Sequence, residues 1–172
     1  MRGFIVIFLF ICGCNSHKKY NSSEFQFVEG VMNYKGSPFS GVLEKINGPI
    51  KQVIPYQNGF IHGQEIHYYQ NGNKFKMRHY DKGLAQGNHK VFYPDGQLMK
   101  DLNFKDDVYE GDYTEFYESG QVYIYKKFKN GKAIGHKQWR KNGQIFANVV
   151  YKDGKRYGLY GGKLCYETED IK

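Results

Sequence analysis

The chain has 172 residues, with 25 Lys and Arg against 17 Asp and Glu for a formal net charge of +8, and it is only 40% hydrophobic even with Tyr counted. Much of that apolar mass is aromatic, 16 Tyr, 13 Phe and one Trp, whereas Leu occurs six times after residue 13. Such a length permits one domain or one array of small units and excludes a large multidomain enzyme, and the shortage of aliphatic side chains argues against a thick doubly wound core. With 21 Gly and 4 Pro, turns at positive φ are expected in place of Pro-rich disorder, so the first expectation is a protein of strands and turns.

In chain order, the first element is a processing signal over residues 1–13: Arg2, the apolar run Phe4 to Ile11, then Ile11-Cys12-Gly13-Cys14. The run is too short to cross the bilayer, which takes about 20 residues as a helix, and reads as the core of a signal peptide. A small residue directly before Cys14 resembles the lipobox of bacterial lipoproteins, although Cys12 stands where Ala or Ser is usual. The resemblance implies cleavage before Cys14, a diacylglyceryl thioether on that residue, and a product held on the cell envelope, at the outer membrane in a Gram-negative host. Acyl chains contribute about 0.8 kcal/mol per buried CH₂, enough for near-permanent attachment. Without residues 1–13 the net charge is +7 and, with Cys14 lipidated, Cys165 is the remaining thiol, so no intramolecular disulfide framework is expected. The polar stretch 14–24 reads as a lipidated tether, 25–158 as a repeat array, and 159–172 as a C-terminal cap over the last sheet edge.

The array announces itself through glycine. An aromatic followed by two glycines four residues apart begins at Tyr56, Tyr80, Phe128 and Tyr151; the copy at Phe104 has Asp107 in place of the first glycine, and the copy at Tyr34 is one residue short. The second glycine falls at 41, 63, 87, 111, 135 and 158. A third lies mid-repeat in Asn71-Gly72, Asp95-Gly96, Ser119-Gly120 and Asn142-Gly143. Asn-Gly and Asp-Gly suit a type I′ turn, so Gly72, Gly96, Gly120 and Gly143 are expected at hairpin tips, with one hairpin per repeat of about 24 residues. The expected fold is all-β, an elongated antiparallel meander that advances roughly 10 Å per hairpin. Two columns recur at fixed offsets from the mid-repeat glycine: Tyr68, Phe92, Phe116 and Trp139 before it, Tyr80, Phe104, Phe128 and Tyr151 after it. Both are expected to form structural aromatic ladders. At Asp107 and at Arg140, which replaces the second aromatic of the pair, local bulges or a loosened loop are expected.

These residues resemble the MORN (membrane occupation and recognition nexus) repeat, and more closely its bacterial variant, over about residues 34–158; Tyr56 to Gly72 (YQNGFIHGQEIHYYQNG) carries the pattern. The resemblance implies an extended β-hairpin sheet. The family includes bacterial proteins described as antitoxins, a cytoplasmic role that an exported lipoprotein fits badly.

Chemistry-bearing motifs are few. His62 and His67 have zinc-like spacing but flank a strand-opening glycine and lack a second matching pair, so no metal and no cofactor are expected. Asp106, Asp107, Glu110, Asp112, Glu115 and Glu118 cluster around the fourth repeat, yet nothing in the sequence buries one carboxyl and exposes another, so no catalytic residue is expected. No phosphate-binding loop, dinucleotide fingerprint or nucleophile elbow occurs. Basic residues among aromatics could form a single-strand nucleic-acid platform, but the rings are locked in repeat columns and export argues against nucleic acid. The expected function is that of a non-enzymatic, membrane-anchored binding or scaffold module whose sheet meets a protein, glycan or lipid-headgroup partner. Alternatives are an antitoxin or immunity-like protein that inhibits a toxin, and an envelope-polymer hydrolase working through the fourth-repeat carboxylates.

Overall fold

A computed structural model describes residues 22–161 and 163–165. The signal peptide, Cys14, most of the tether and residues 166–172 of the expected cap lie outside the described residues. Past a 3₁₀ turn at Ser22–Glu24, everything regular is β. Strands β1 (Phe25–Val28), β2 (Val31–Tyr34) and β3 (Ser37–Pro38) form a small antiparallel sheet. The main sheet comprises β4 (Gly41–Asn47), β5 (Ile50–Gln57), β6 (Phe60–Ile61), β7 (Gly63–Tyr68), β8 (Lys74–Asp81), β9 (Leu84–Ala85), β10 (Gly87–Phe92), β11 (Leu98–Lys105), β12 (Val108–Phe116), β13 (Val122–Lys129), β14 (Lys132–Trp139), β15 (Ile145–Lys152), β16 (Lys155–Tyr160) and β17 (Lys163–Cys165). Its order follows the chain from β4 to β17, with the short β6 and β9 pairing onto β5 and β8. Every pairing is antiparallel, so the meander read from the glycines is the fold. Strands β16 and β17 continue the ladder through residues assigned to a cap.

The two kinds of turn are distributed differently from the expectation. Type I′ turns sit at the other end of each hairpin, at Asn58-Gly59, Lys82-Gly83, Asn130-Gly131 and Asp153-Gly154, where both residues have φ between 48° and 87°. Each is a two-residue loop, closed by pairs such as Gln57↔Phe60 and Asp81↔Leu84. At the mid-repeat ends only Gly72, Gly96, Gly120 and Gly143 have positive φ. There the Gly72 N–H donates to Tyr69 O at 3.0 Å and the Tyr69 N–H to Asn73 O at 2.8 Å, the pattern of a type I turn followed by a left-handed glycine, repeated at Tyr93, Tyr117 and Arg140. Asn71, Asp95 and Asn142 serve as acceptors: their side-chain oxygens take the N–H two residues on, at 3.0, 2.9 and 3.1 Å. Asp107 causes no loosened loop. It holds φ at 65°, its N–H donates to Ala85 O at 3.1 Å, and its carboxylate accepts the Ala85 N–H at 2.6 Å.

That backbone bond is one rung of a stitch between neighbouring tight turns. Gly59 N–H reaches Phe39 O, Gly83 N–H reaches Ile61 O, and Gly131 N–H reaches Tyr109 O, at 2.7 to 2.9 Å. At the opposite end the second tyrosine of each aromatic pair does equivalent work: the hydroxyls of Tyr69, Tyr93 and Tyr117 donate to the carbonyls of Phe92, Phe116 and Trp139 in the next repeat, all at 2.8 Å. Both long margins of the sheet are thus tied from repeat to repeat.

The buried side chains of the main sheet share one face, which the register defines as the inner face: Leu43, Ile54, Tyr56, Glu65, His67, Ala85, His89, Tyr113, Ala147 and Val149. Its N-terminal end is apolar, where Leu43, Ile54 and Tyr56 pack with Met32 and Phe39 beneath the small sheet. Ala147 and Val149 make the C-terminal end apolar again. Between them the face mixes charged and polar side chains with Val91, Leu102 and Ile124.

Candidate binding face between two aromatic rails

The polar stretch spans β7 to β14 and is flanked by rings. On the tight-turn side, Tyr80, His89, Phe104, Tyr109 and Phe128 form a continuous row, with successive centroids 5.7, 4.5, 4.6 and 4.8 Å apart. On the other side, β-bulges beside each loop leave Phe75, Met99, Tyr123 and Phe146 without a cross-strand partner, between register pairs such as His67↔Lys76 and Tyr68↔Lys74. Phe75 meets Tyr69 at 4.9 Å, Tyr123 meets Tyr117 at 4.8 Å, and Arg140, in the tyrosine's position, lies 5.4 Å over the Phe146 ring.

The strip between the rails is built with its carboxylates low and its cations high. Glu65 is buried, accepts from His67 Nε2 at 2.6 Å and lies 4.0 Å from the Arg78 guanidinium. Burial alone pushes its carboxyl up, but the His67 hydrogen bond, with the charges of His67 and Arg78, outweighs burial and holds it below the usual carboxylate range. Glu115 takes Lys100 Nζ at 3.2 Å and the Tyr113 hydroxyl. Burial and that carboxylate push the Tyr113 phenol upward, so it stays a donor. The side chains of Arg78 and Lys100 are 37% and 31% exposed, against 8% and 21% for Glu65 and Glu115, so the cations are the more exposed members of the two pairs. Lys126 lies over the Tyr113 ring at 5.6 Å. Burial, then the charge of Arg78, pulls the Lys76 ammonium down. The neighbouring His136 leaves Nε2 buried without a hydrogen-bond partner, and burial, then the charges of Lys126 and Arg156, lower its pKa. Arg78, Tyr80, His89, Phe104, Asp107 and Tyr109 are among the residues that line an open depression of about 340 Å³ in this strip.

The two columns expected as ladders lie on opposite faces. Tyr80, Phe104 and Phe128 belong to the tight-turn rail, with His89 and Tyr109 inserted between them; Tyr151 is half-buried on β15 beside Arg156 and joins no ring pair among the described residues. Tyr68, Phe92, Phe116 and Trp139 occupy the outer face, opposite Lys74, Leu98, Val122 and Ile145. Among the described residues no ring pair joins them, because each is separated from the next by an intervening strand that presents no ring there. The fourth-repeat carboxylates are dispersed: Asp106 accepts from Gln86, Glu110 accepts the Asn130 N–H, Asp112 accepts from the Tyr125 hydroxyl, and Glu115 lies on the inner face. His62 pairs with Asp81 at 3.2 Å while His67 is buried against Glu65, so the two do not converge. Among the described residues no group of three His, Cys, Asp or Glu side chains could hold a metal ion.

Sequence reasoning missed the inner-face strip because its positions change residue type from repeat to repeat: Arg78, Leu102 and Lys126 share one position, and Lys76, Lys100 and Ile124 another. The signal that could have found them was alternation in β7, where Glu65 and His67 fall on the face that Ile54 and Tyr56 require to be buried. No curated protein matches the chain. Three consecutive segments, residues 61–82, 85–106 and 109–130, match the family described as MORN repeat variant, and each spans one hairpin of the sheet, so the chain carries tandem MORN repeats.

Proposed function

We propose that this chain is a lipid-anchored cell-envelope protein that works as a non-enzymatic binding module, acyl groups on Cys14 giving location and the inner face giving recognition. The observation that carries the binding role is the strip between the rails, where the partly exposed side chains of Arg78 and Lys100 are paired with the less exposed Glu65 and Glu115 beside a stacked row of rings. Stabilising a sheet is a weak reason to bury Glu65 and engage His67 and Arg78 with it, since a buried ion pair returns little net stability compared with apolar side chains of similar volume. The anchoring role rests on the apolar run ending at Gly13-Cys14.

The test separates the two halves. Metabolic labelling with an alkyne fatty acid should mark the wild type and not Cys14→Ser; an unlabelled wild type refutes anchoring. Affinity capture from solubilised envelope should recover a component with the wild type that is lost in the Arg78→Gln, Lys126→Gln double variant. Equal recovery by both removes the inner face as the binding surface.

A further inference from the structure

We propose that Asn47 is a site of spontaneous covalent modification, where the main-chain nitrogen of Gly48 attacks the side-chain amide and converts Asn47 to aspartate and isoaspartate. The chain holds five Asn-Gly dipeptides, at Asn47, Asn58, Asn71, Asn130 and Asn142, and each carries the unhindered glycine nitrogen that this reaction needs. The fold treats one of them differently. The N–H groups of Gly59 and Gly131 donate to Phe39 O and Tyr109 O at 2.7 and 2.9 Å, inside the stitch between repeats. Those of Gly72 and Gly143 close their own loops on Tyr69 O and Arg140 O at 3.0 and 2.9 Å. Asn47 and Ile50 instead pair across a two-residue loop, Gly48-Pro49, with Gly48 at φ 58°. In such a loop the ladder bonds belong to the closing pair, and the Gly48 N–H makes no hydrogen bond among the described residues.

The side chains follow the same division. Asn71 Oδ1 accepts the Asn73 N–H at 3.0 Å while its Nδ2 donates to Pro94 O at 2.8 Å, and Asn142 is held by Gln144 at both ends. The Asn47 side chain makes no such bond among the described residues, and Asn47, Gly48 and Pro49 are all exposed. A Cβ placed on Gly48 meets nothing within 4 Å, whereas one on Gly59 would strike Val31 Cγ1 at 2.2 Å, so a ring has room to close at the first tip and little at the second. Strand β4 adds freedom: it is an edge of the main sheet and pairs only with β5, so its tip frays without opening a second ladder. In the reaction Gly48 N gives its proton to a base and bonds to Asn47 Cγ. The Cγ–Nδ2 bond breaks, and the leaving nitrogen takes up a proton and departs as ammonia, which leaves a succinimide. Water then adds to either ring carbonyl; one opening gives aspartate, the other isoaspartate with the main chain rerouted through Cβ. Both products set a carboxylate at the tip, beside a depression of about 520 Å³ whose lining includes Ile46, Pro49, Lys51 and Tyr68.

The experiment incubates the purified full chain in warm, mildly alkaline buffer, folded and in parallel in urea. Each Asn-Gly peptide is followed by mass spectrometry for the gain that marks an amide turned to an acid, with isoaspartate read from backbone fragmentation. In the folded chain Asn47 should convert at least about fivefold faster than each of Asn58, Asn71, Asn130 and Asn142, because those sites must first give up a hydrogen bond. In urea, where the bonds are gone, that lead should fall to less than half its folded value. Asn47→Gln, whose longer side chain closes its ring far more slowly, should abolish the product at this peptide and leave the β-sheet circular dichroism unchanged. A smaller lead in the folded chain, a faster site among the other four, or a lead that survives in urea overturns the proposal. So does a mass gain that persists at the same peptide in Asn47→Gln.

Discussion

Tyr93 shows how one hydroxyl joins two repeats. Its O–H donates to Phe116 O at 2.8 Å, and Tyr69 and Tyr117 repeat the bond at equivalent positions. A neutral hydrogen bond of this kind contributes about 1 kcal/mol net, and its loss leaves a half-buried carbonyl short of a partner. Tyr93→Phe keeps the ring and removes only the donor, so urea unfolding should show a loss of about 1 kcal/mol with unchanged secondary structure. A loss below a few tenths would mean that water replaces the hydroxyl. Asp107 is a second case, a non-glycine residue at φ 65° whose carboxylate takes the Ala85 N–H. Asp107→Gly trades that bond for relief of left-handed strain and should stay within about 1 kcal/mol of wild type, while Asp107→Ala loses the bond and keeps the strain, costing about 2 kcal/mol. Equal melting temperatures for the two variants would contradict this account.

At the scale of the element, glycines that look alike in the sequence do different jobs. A Cβ on Gly59 would come within 2.2 Å of Val31 Cγ1 and 2.9 Å of Met32 O, whereas one on Gly96 meets nothing within 4 Å. Both have positive φ, so each alanine variant carries the left-handed penalty of about 1 to 2 kcal/mol. Gly59→Ala must also displace β2, the strand that seats the small sheet on the core, so chemical denaturation should place it at least about 1 kcal/mol below Gly96→Ala. Similar losses would show that β2 yields freely. The glycine period revealed the hairpins, their order and their antiparallel sense because each tip needs a residue that accepts positive φ. Which tip takes which turn was not legible: Asn71-Gly72 and Asn58-Gly59 are the same dipeptide, and the flanking pair register decides between a type I turn with a bulge and a type I′ turn. The bulges that bring Phe75 and Tyr123 onto the inner face, and so place one rail, follow from that choice and were equally hidden.

Across the whole molecule, a single layer with apolar ends and a polar middle should respond to acid in two stages, because its buried titratable groups lie in that middle. Burial is the main cause that holds His89 and His136 below the ordinary histidine range; Arg78 and His79 add to it for His89, and Lys126 and Arg156 for His136, while the bond between His89 Nε2 and His79 O acts the other way. A depressed folded pKa means that the unfolded chain binds protons first. The histidine contribution is therefore complete above pH about 6.5 and is lost as pH falls from there through the lower folded values. Glu65, held below the carboxylate range by His67 and Arg78 against its burial, contributes above pH about 4.3 and loses that contribution below it. Urea midpoints measured from pH 8 to pH 3 should fall in a first step below pH about 6.5 and a second below about 4.3. Replacing both histidines, His89→Gln and His136→Gln, should flatten the first step and leave the second, and Glu65→Gln should do the opposite. A first step of full size in the double variant would place the acid sensitivity outside this face and would separate the strip from the forces that hold the sheet together.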